Sequence, residues 1–159
     1  MNNMPANDDL PERVVEIVAA FTATEGPLLP ILHEVQASFG YIPPEAIPQI
    51  AQLLNLTRAE VFGVVSFYHD YRDHPAGRHT LKLCRAEACQ SMGGEALGAR
   101  VKQLLGVDFG DTSADGAVTL EPVYCLGLCA TAPALMLDGK PHGRVTDERA
   151  ETLIAGCRS

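Results

Sequence analysis

No G-x-G-x-x-G or Walker-type loop occurs in the sequence, so nothing argues for nicotinamide or nucleotide binding on this chain. No Ser/His/Asp or paired-carboxylate arrangement stands out, and no catalytic residue is expected. There is no basic stripe: 12 Lys and Arg stand against 20 Asp and Glu, a formal net charge of −8 with neutral histidines. A nucleic-acid partner is therefore not expected. The longest apolar stretches fall well short of the roughly 18 residues of a membrane span, so no membrane insertion is expected either. The N-terminus, MNNMPANDDLPERV, lacks a basic start followed by an apolar run and does not read as a signal peptide. A cytoplasmic protein is the expectation. No internal repeat or low-complexity segment is present.

What remains is an ordinary globular composition, 47% apolar and 20% charged. At 159 residues the chain holds one full domain, or a small domain with a helical extension. That is long enough to bury a real core without cysteine staples. There are nevertheless five cysteines. A reducing compartment disfavours structural disulfides, which makes metal binding or redox chemistry the better reading.

The first half is helical in pattern. Asp9 and Pro11 can open a helix with Val14, Val15, Ile17, Val18 and Phe21 on its apolar face. Leu28 to Phe39 gives a second helix stopped by Gly40. Ile47, Ile50, Ala51, Leu53 and Leu54 mark a third. Thr57 and Glu60 have capping-box spacing ahead of Val61, Val64 and Val65, a short fourth. Together they predict a helical bundle over about 8–70. His69 to His79 reads as a solvated connector; its histidines match no ligand spacing. Beyond it the pattern changes. Thr80–Leu83 reads as a strand, about 95–105 as a helix, and Val118–Tyr124 as a second strand. Ala134–Leu137 and His142–Val145 flank a turn at Asp138-Gly139. Thr146 can cap a last helix. The second half is thus a small α/β layer sandwich.

Cys84 and Cys89 form C-x4-C, and Cys125 and Cys129 form C-x3-C, with 35 residues between the pairs. Each pair begins where an expected strand ends, so two neighbouring strands can bring four thiols to one sheet edge. Iron and inorganic sulfide need soft anionic donors, and four thiolates complete two tetrahedral irons. The oxidised core carries two positive charges against four thiolate charges, so such a site is dianionic, and trianionic once reduced. Backbone N–H groups near sulfur offset that charge, and Gly93, Gly94 and Gly127 permit close backbone approach. Three other readings stand beside the iron–sulfur one. Structural zinc usually takes C-x2-C knuckles, which are absent. A dithiol redox site needs C-x-x-C, also absent. The thiols can also be unrelated buried side chains. Cys157 lies outside both pairs and reads as a bystander.

At these residues the sequence resembles the thioredoxin-like [2Fe–2S] ferredoxin family, which includes the 24-kDa-type subunit of respiratory complex I. The resemblance rests on LLPILHEVQASFGYIPPEAIPQIA, VFGVVSFYHDYRDHPAGRHTLKLC, CRAEACQSMGG and YCLGLCATAP. It implies a helical bundle and linker over 1–74, then a thioredoxin-like α/β domain over 75–159. It also implies one [2Fe–2S] cluster on Cys84, Cys89, Cys125 and Cys129, and a partner subunit that binds FMN and NADH. Related subunits occur in NAD-reducing hydrogenases and NAD-dependent formate dehydrogenases. CRAEACQSMGG and ALMLDGKPHGRV are most similar to the gamma subunit of the molybdenum-containing formate dehydrogenase, where the molybdenum cofactor sits on a further catalytic subunit. Disulfide exchange is not inherited with the fold, because the thiol pair of a thioredoxin is missing.

Overall fold

The computed structural model describes residues 9–158. The chain divides into two compact units, Met1–Pro75 and Ala76–Ser159. Each has its own apolar core.

Four helices build the first unit: α1 (Leu10–Ala20), α2 (Leu28–Phe39), α3 (Ala46–Leu54) and α4 (Arg58–Phe67). In α1, Leu10, Val14, Ile17 and Val18 are buried at helical spacing. Val15 was expected on that face, but one residue turns the helix by about 100° and leaves it exposed. Asp9 occupies the N-cap position without making a side-chain cap bond, and Pro11 sits in the first turn, where its missing N–H costs nothing. Gly40 ends α2 at φ 81°, its N–H donating to the Gln36 carbonyl at 2.7 Å, as a left-handed cap requires.

The fourth helix starts on the expected capping box. The Thr57 hydroxyl accepts from the Glu60 N–H at 3.2 Å, and the Glu60 carboxylate accepts from the Thr57 N–H at 2.7 Å. Bonds to the Thr57 backbone and then side chain hold the Glu60 carboxyl below its ordinary pKa. This contribution is therefore present at neutral pH and fades as the pH falls through the folded-state value. Thr57→Ala is expected to destabilise the unit by about 1 kcal/mol, read as a lower denaturation midpoint with an unchanged slope.

The connector expected over His69–His79 is only partly one. Gln36 accepts from the Arg72 N–H and donates to the Asp70 carbonyl, both at 2.7 Å, and Tyr71 is buried in the bundle core. A single glutamine thus ties 70–72 back onto α2, a pairing between distant residues that no local pattern reveals. At the other end His79 already belongs to the first strand.

The second unit contains β1 (His79–Cys84), α5 (Glu87–Ser91), α6 (Gly94–Leu105), β2 (Val118–Val123), β3 (Leu135–Leu137), β4 (Lys140–His142) and α7 (Asp147–Cys157). The sheet order is β2-β1-β3-β4. β1 and β2 run parallel, from His79 opposite Val118 to Cys84 opposite Val123. The remaining pairs are antiparallel. Leu81 and Leu83, two apart on β1, point to one face and share a core with Leu120, Leu135, Leu97 and Val101 of α6, and Ile154 of α7. Three expectations need correction. α5 was not expected, because five residues are too few to display a period. The strand expected at His142–Val145 lies at Lys140–His142: the tight Asp138-Gly139 turn pairs Leu137 directly with Lys140, and the ladder is spent by His142. The second strand stops at Val123, one residue before Tyr124.

Candidate metal centre

Parallel pairing explains how thiols far apart in sequence meet. Cys84 is the last residue of β1, and its ladder partner Val123 is the last of β2. Both strands therefore end at the same edge. Cys125 follows two residues after Val123, at φ 151°, a positive value uncommon outside glycine. Cys89 is carried on α5 and Cys129 opens a short 3₁₀ turn, Cys129–Thr131. Cys84, Cys89 and Ala134 form a small buried cluster edged by Val123, Leu126, Leu128 and Ala132.

Within the second pair the Cys125 and Cys129 sulfurs are 3.8 Å apart. A tetrahedral ion with metal–thiolate bonds of about 2.3 Å holds two thiolates about 3.8 Å apart. The pair thus has the spacing of two ligands on one ion. Cys84 and Cys89 also lie within hydrogen-bond reach of each other, and Cys84 and Cys129 interact electrostatically. Burial first, and then the hydrogen bond with Cys84, push the Cys89 thiol above its ordinary pKa; a backbone hydrogen bond from Ala134 works the other way. The exposed Cys129 thiol is also pushed up, chiefly by Cys125 beside it. Crowded thiolates repel one another, and a cation between them relieves that repulsion. Among the described residues, no three His, Cys, Asp or Glu side chains gather around a single ion position. Four thiolates in two pairs are the donor set that a two-iron core with bridging sulfides takes.

The expected backbone support is present in part. The Gly127 N–H donates to the Cys125 sulfur at 3.3 Å, with Gly127 at φ 75°, where glycine alone is comfortable. Gly94 plays a different part from the one expected: it lies against the backbone of Cys89, not against a sulfur. A Cβ there would sit 2.5 Å from the Cys89 carbonyl oxygen and 2.8 Å from its carbon. Gly93 has open space around it.

Two supports were not anticipated. The Ala134 carbonyl accepts from the Cys84 N–H at 3.1 Å. Gly143 packs on Thr131, and the Arg144 N–H donates to the Thr131 carbonyl at 2.6 Å, bracing the turn that holds Cys129. The small side chains at 134 and 143 were the only available hints. Cys157 lies in the core of the sheet and helices, its thiol donating to the Leu153 carbonyl at 3.3 Å. The connector histidines converge on nothing: His74 pairs with Asp73, and His79 meets Asp138 at 2.7 Å.

A mixed sheet whose parallel strands deliver two cysteine pairs to one edge offers four soft thiolate donors to a metal centre. The family model for the thioredoxin-like [2Fe–2S] ferredoxin matches residues 14–158, and the chain belongs to that family. It is a [2Fe–2S] electron-transfer protein. It is 38% identical over 133 residues to NADH-quinone oxidoreductase subunit 2 of Thermus thermophilus, covering 83% of this chain and 74% of that one. It is 38% identical over 144 residues to an NADH-quinone oxidoreductase subunit of Mycobacterium tuberculosis, covering 91% of this chain and 57% of that one. The NADP-reducing hydrogenase subunit HndA of Solidesulfovibrio fructosivorans is 33% identical over 142 residues, 89% of this chain and 83% of its own. Among solved structures, the NAD+-reducing [NiFe]-hydrogenase superposes with a TM-score of 0.70 at 24% identity, over 82% of this chain and 22% of that one, a likeness of fold.

Proposed function

We propose that Cys84, Cys89, Cys125 and Cys129 ligate the cluster, and that the chain is the electron-transfer subunit of an NAD-linked oxidoreductase complex. The observation that carries the ligand set is the pair of thiols 3.8 Å apart beyond β2, beside a second pair at the end of the adjacent parallel strand. Cys84 and Cys89 would hold one iron, and Cys125 and Cys129 the other. The bound cluster supplies reversible one-electron storage. The chain's part is to fix four thiolates, shield one pair in apolar surroundings, and donate the Gly127 N–H to sulfur. The second unit is the cluster domain, from about residue 75 onward, and the helical first unit is a docking extension.

Electrons from NADH travel as a hydride pair, and a flavin is needed to split them. That flavin, FMN, belongs with the NADH site on a partner subunit. Within the class, the assignment to the gamma subunit of molybdenum-containing NAD-dependent formate dehydrogenase rests on CRAEACQSMGG and ALMLDGKPHGRV. The catalytic molybdenum subunit would then be a second partner. The equivalent subunit of respiratory complex I is the competing reading, favoured by the 38% identity to two NADH-quinone oxidoreductase subunits. A cytoplasmic site of action agrees with five free cysteines. Among the described residues, no helix is long and apolar enough to cross a membrane.

The test begins with the anaerobically purified chain. It is expected to contain iron and acid-labile sulfide in equal amounts and, after dithionite, a spin-half EPR signal. Stoichiometric zinc without sulfide would overturn the proposal in favour of a zinc-stabilised interaction module. NADH is expected to leave the isolated chain oxidised and to reduce it once the flavoprotein is added. Co-purification with a molybdenum subunit supports the formate dehydrogenase assignment, and co-purification with a membrane-embedded quinone-reducing arm supports complex I.

A further inference from the structure

The five cysteines meet solvent unequally. Cys84, Cys89 and Cys157 are 3%, 2% and 3% exposed, whereas Cys125 and Cys129 are open to water. The loop between the open pair explains the difference. Leu126 and Leu128 pack against the small cluster of Cys84, Cys89 and Ala134, while the residues that alternate with them, Cys125, Gly127 and Cys129, are exposed. A Cβ added at Gly127 would meet nothing within 4 Å, so that side of the loop is clear. The two exposed sulfurs lie 3.8 Å apart. A disulfide bond of about 2.0 Å needs them to close by about 1.8 Å, which rotation of two uncrowded side chains about their Cα–Cβ bonds supplies.

We infer that Cys125 and Cys129 of the cluster-free chain are a modification site, which a small-molecule disulfide converts into a reversible Cys125–Cys129 bridge that locks the metal centre. The bridge stands on the geometry of the open pair; the lock rests on the ligand set proposed above. The step is two successive thiol–disulfide exchanges. One cysteine thiolate attacks a sulfur of the reagent, RSSR, forming a mixed disulfide and expelling RS−. The other cysteine sulfur attacks the protein sulfur of that mixed disulfide, forming the bridge and expelling a second RS−. The two cysteines give up two electrons to the reagent, and their two protons end on two molecules of RSH. Access makes the site selective. Cys84 and Cys89 are neighbours too, but they lie behind packed apolar side chains where a bulky reagent does not reach. So short a ring gains little from loop entropy, and exposed bridges are readily reopened by thiols. While bridged, the pair cannot supply two thiolates to a metal. It is also spared oxidation to sulfinic acid, which thiols do not reverse.

The experiment uses the cluster-free full chain, fully reduced, desalted and then incubated with oxidised glutathione at mildly alkaline pH. Free thiols are expected to fall from five to three, and the intact mass by that of two hydrogens, with peptide mapping joining Cys125 to Cys129. A bridge that includes Cys84, Cys89 or Cys157, or equal modification of all five cysteines, would overturn the inference. So would glutathione held on the open pair without ring closure. In Cys129→Ser closure is impossible, and Cys125 is expected to keep one bound glutathione; an unmodified Cys125 there would show that the reagent does not reach the site. The bridged chain, freed of reagent, is then offered ferrous iron and sulfide. Cluster bands are expected only in chains whose bridge has been reopened, whether by dithiothreitol or by sulfide itself. Loading with the bridge intact would defeat the ligand set, and the lock with it. If no bridge forms while the reduced chain loads its cluster, the ligand set stands and the lock falls.

Discussion

Replacing Cys84, Cys89, Cys125 or Cys129 singly with alanine is expected to abolish or severely destabilise the cluster, with iron and sulfide falling towards zero and the visible bands lost. One missing thiolate leaves an iron with an open coordination position. The two pairs are expected to fail differently. Loss of Cys125 or Cys129 exposes its iron to water, so decay in air should be fast. Loss of Cys84 or Cys89 removes a side chain packed against Ala134 and also disturbs the small apolar cluster behind the site. Cys157→Ala is the control. That thiol donates to a helix carbonyl inside the main core, and the spectrum should not change. Bleaching by Cys157→Ala, with retention of colour in Cys129→Ala, would show the ligand set to be wrong.

Gly94→Ala is expected to reach the cluster through the backbone. The added methyl would lie 2.5 Å from the Cys89 carbonyl oxygen, and the obstructing atoms are main chain, which cannot rotate aside. α5 or the start of α6 must shift, and Cys89 moves with α5. Overpacking of this kind costs about 1–3 kcal/mol, and here the strain falls on a ligand. We expect a lower thermal midpoint together with reduced iron content. Gly98→Ala separates the two effects. Its methyl would meet Leu83 at 3.4 Å, ordinary contact, so that variant should hold its cluster and match or exceed wild-type stability. Full iron content in Gly94→Ala would mean that the approach of Gly94 to Cys89 does not constrain the site.

The sequence made different parts of this site visible to different degrees. The helix ending at Gly40 and the capping box at Thr57 could be read directly, because a cap is a local arrangement of a few adjacent residues. The pairing of the cysteines by spacing, and their delivery by strand ends, could also be read. Cys84 opposite Val123 is what two parallel strands ending together produce. α5 could not, since one turn and a half shows no period. Nor could the clasp of Gln36 on 70–72, or the support of Thr131 by Gly143, which join residues far apart in the chain. The burial of one cysteine pair and the openness of the other are likewise tertiary facts. Both motifs look alike on paper, and only the packing of Ala134 and its neighbours tells them apart.

The parallel β1–β2 ladder has a consequence for how the chain matures. Its two ends are joined by a long crossover through α5 and α6, so a cluster on the proposed ligands would bridge positions 84 and 125 as a cross-link does. Tying the ends of a loop of that size removes about 4 kcal/mol worth of freedom from the unfolded chain in the simple entropy model. The clasp cannot close early, because its final ligand, Cys129, is made only after most of the second unit has been synthesised. On the proposed ligand set, a complete cluster must wait for Cys129, and once in place it would oppose the separation of β1 from β2.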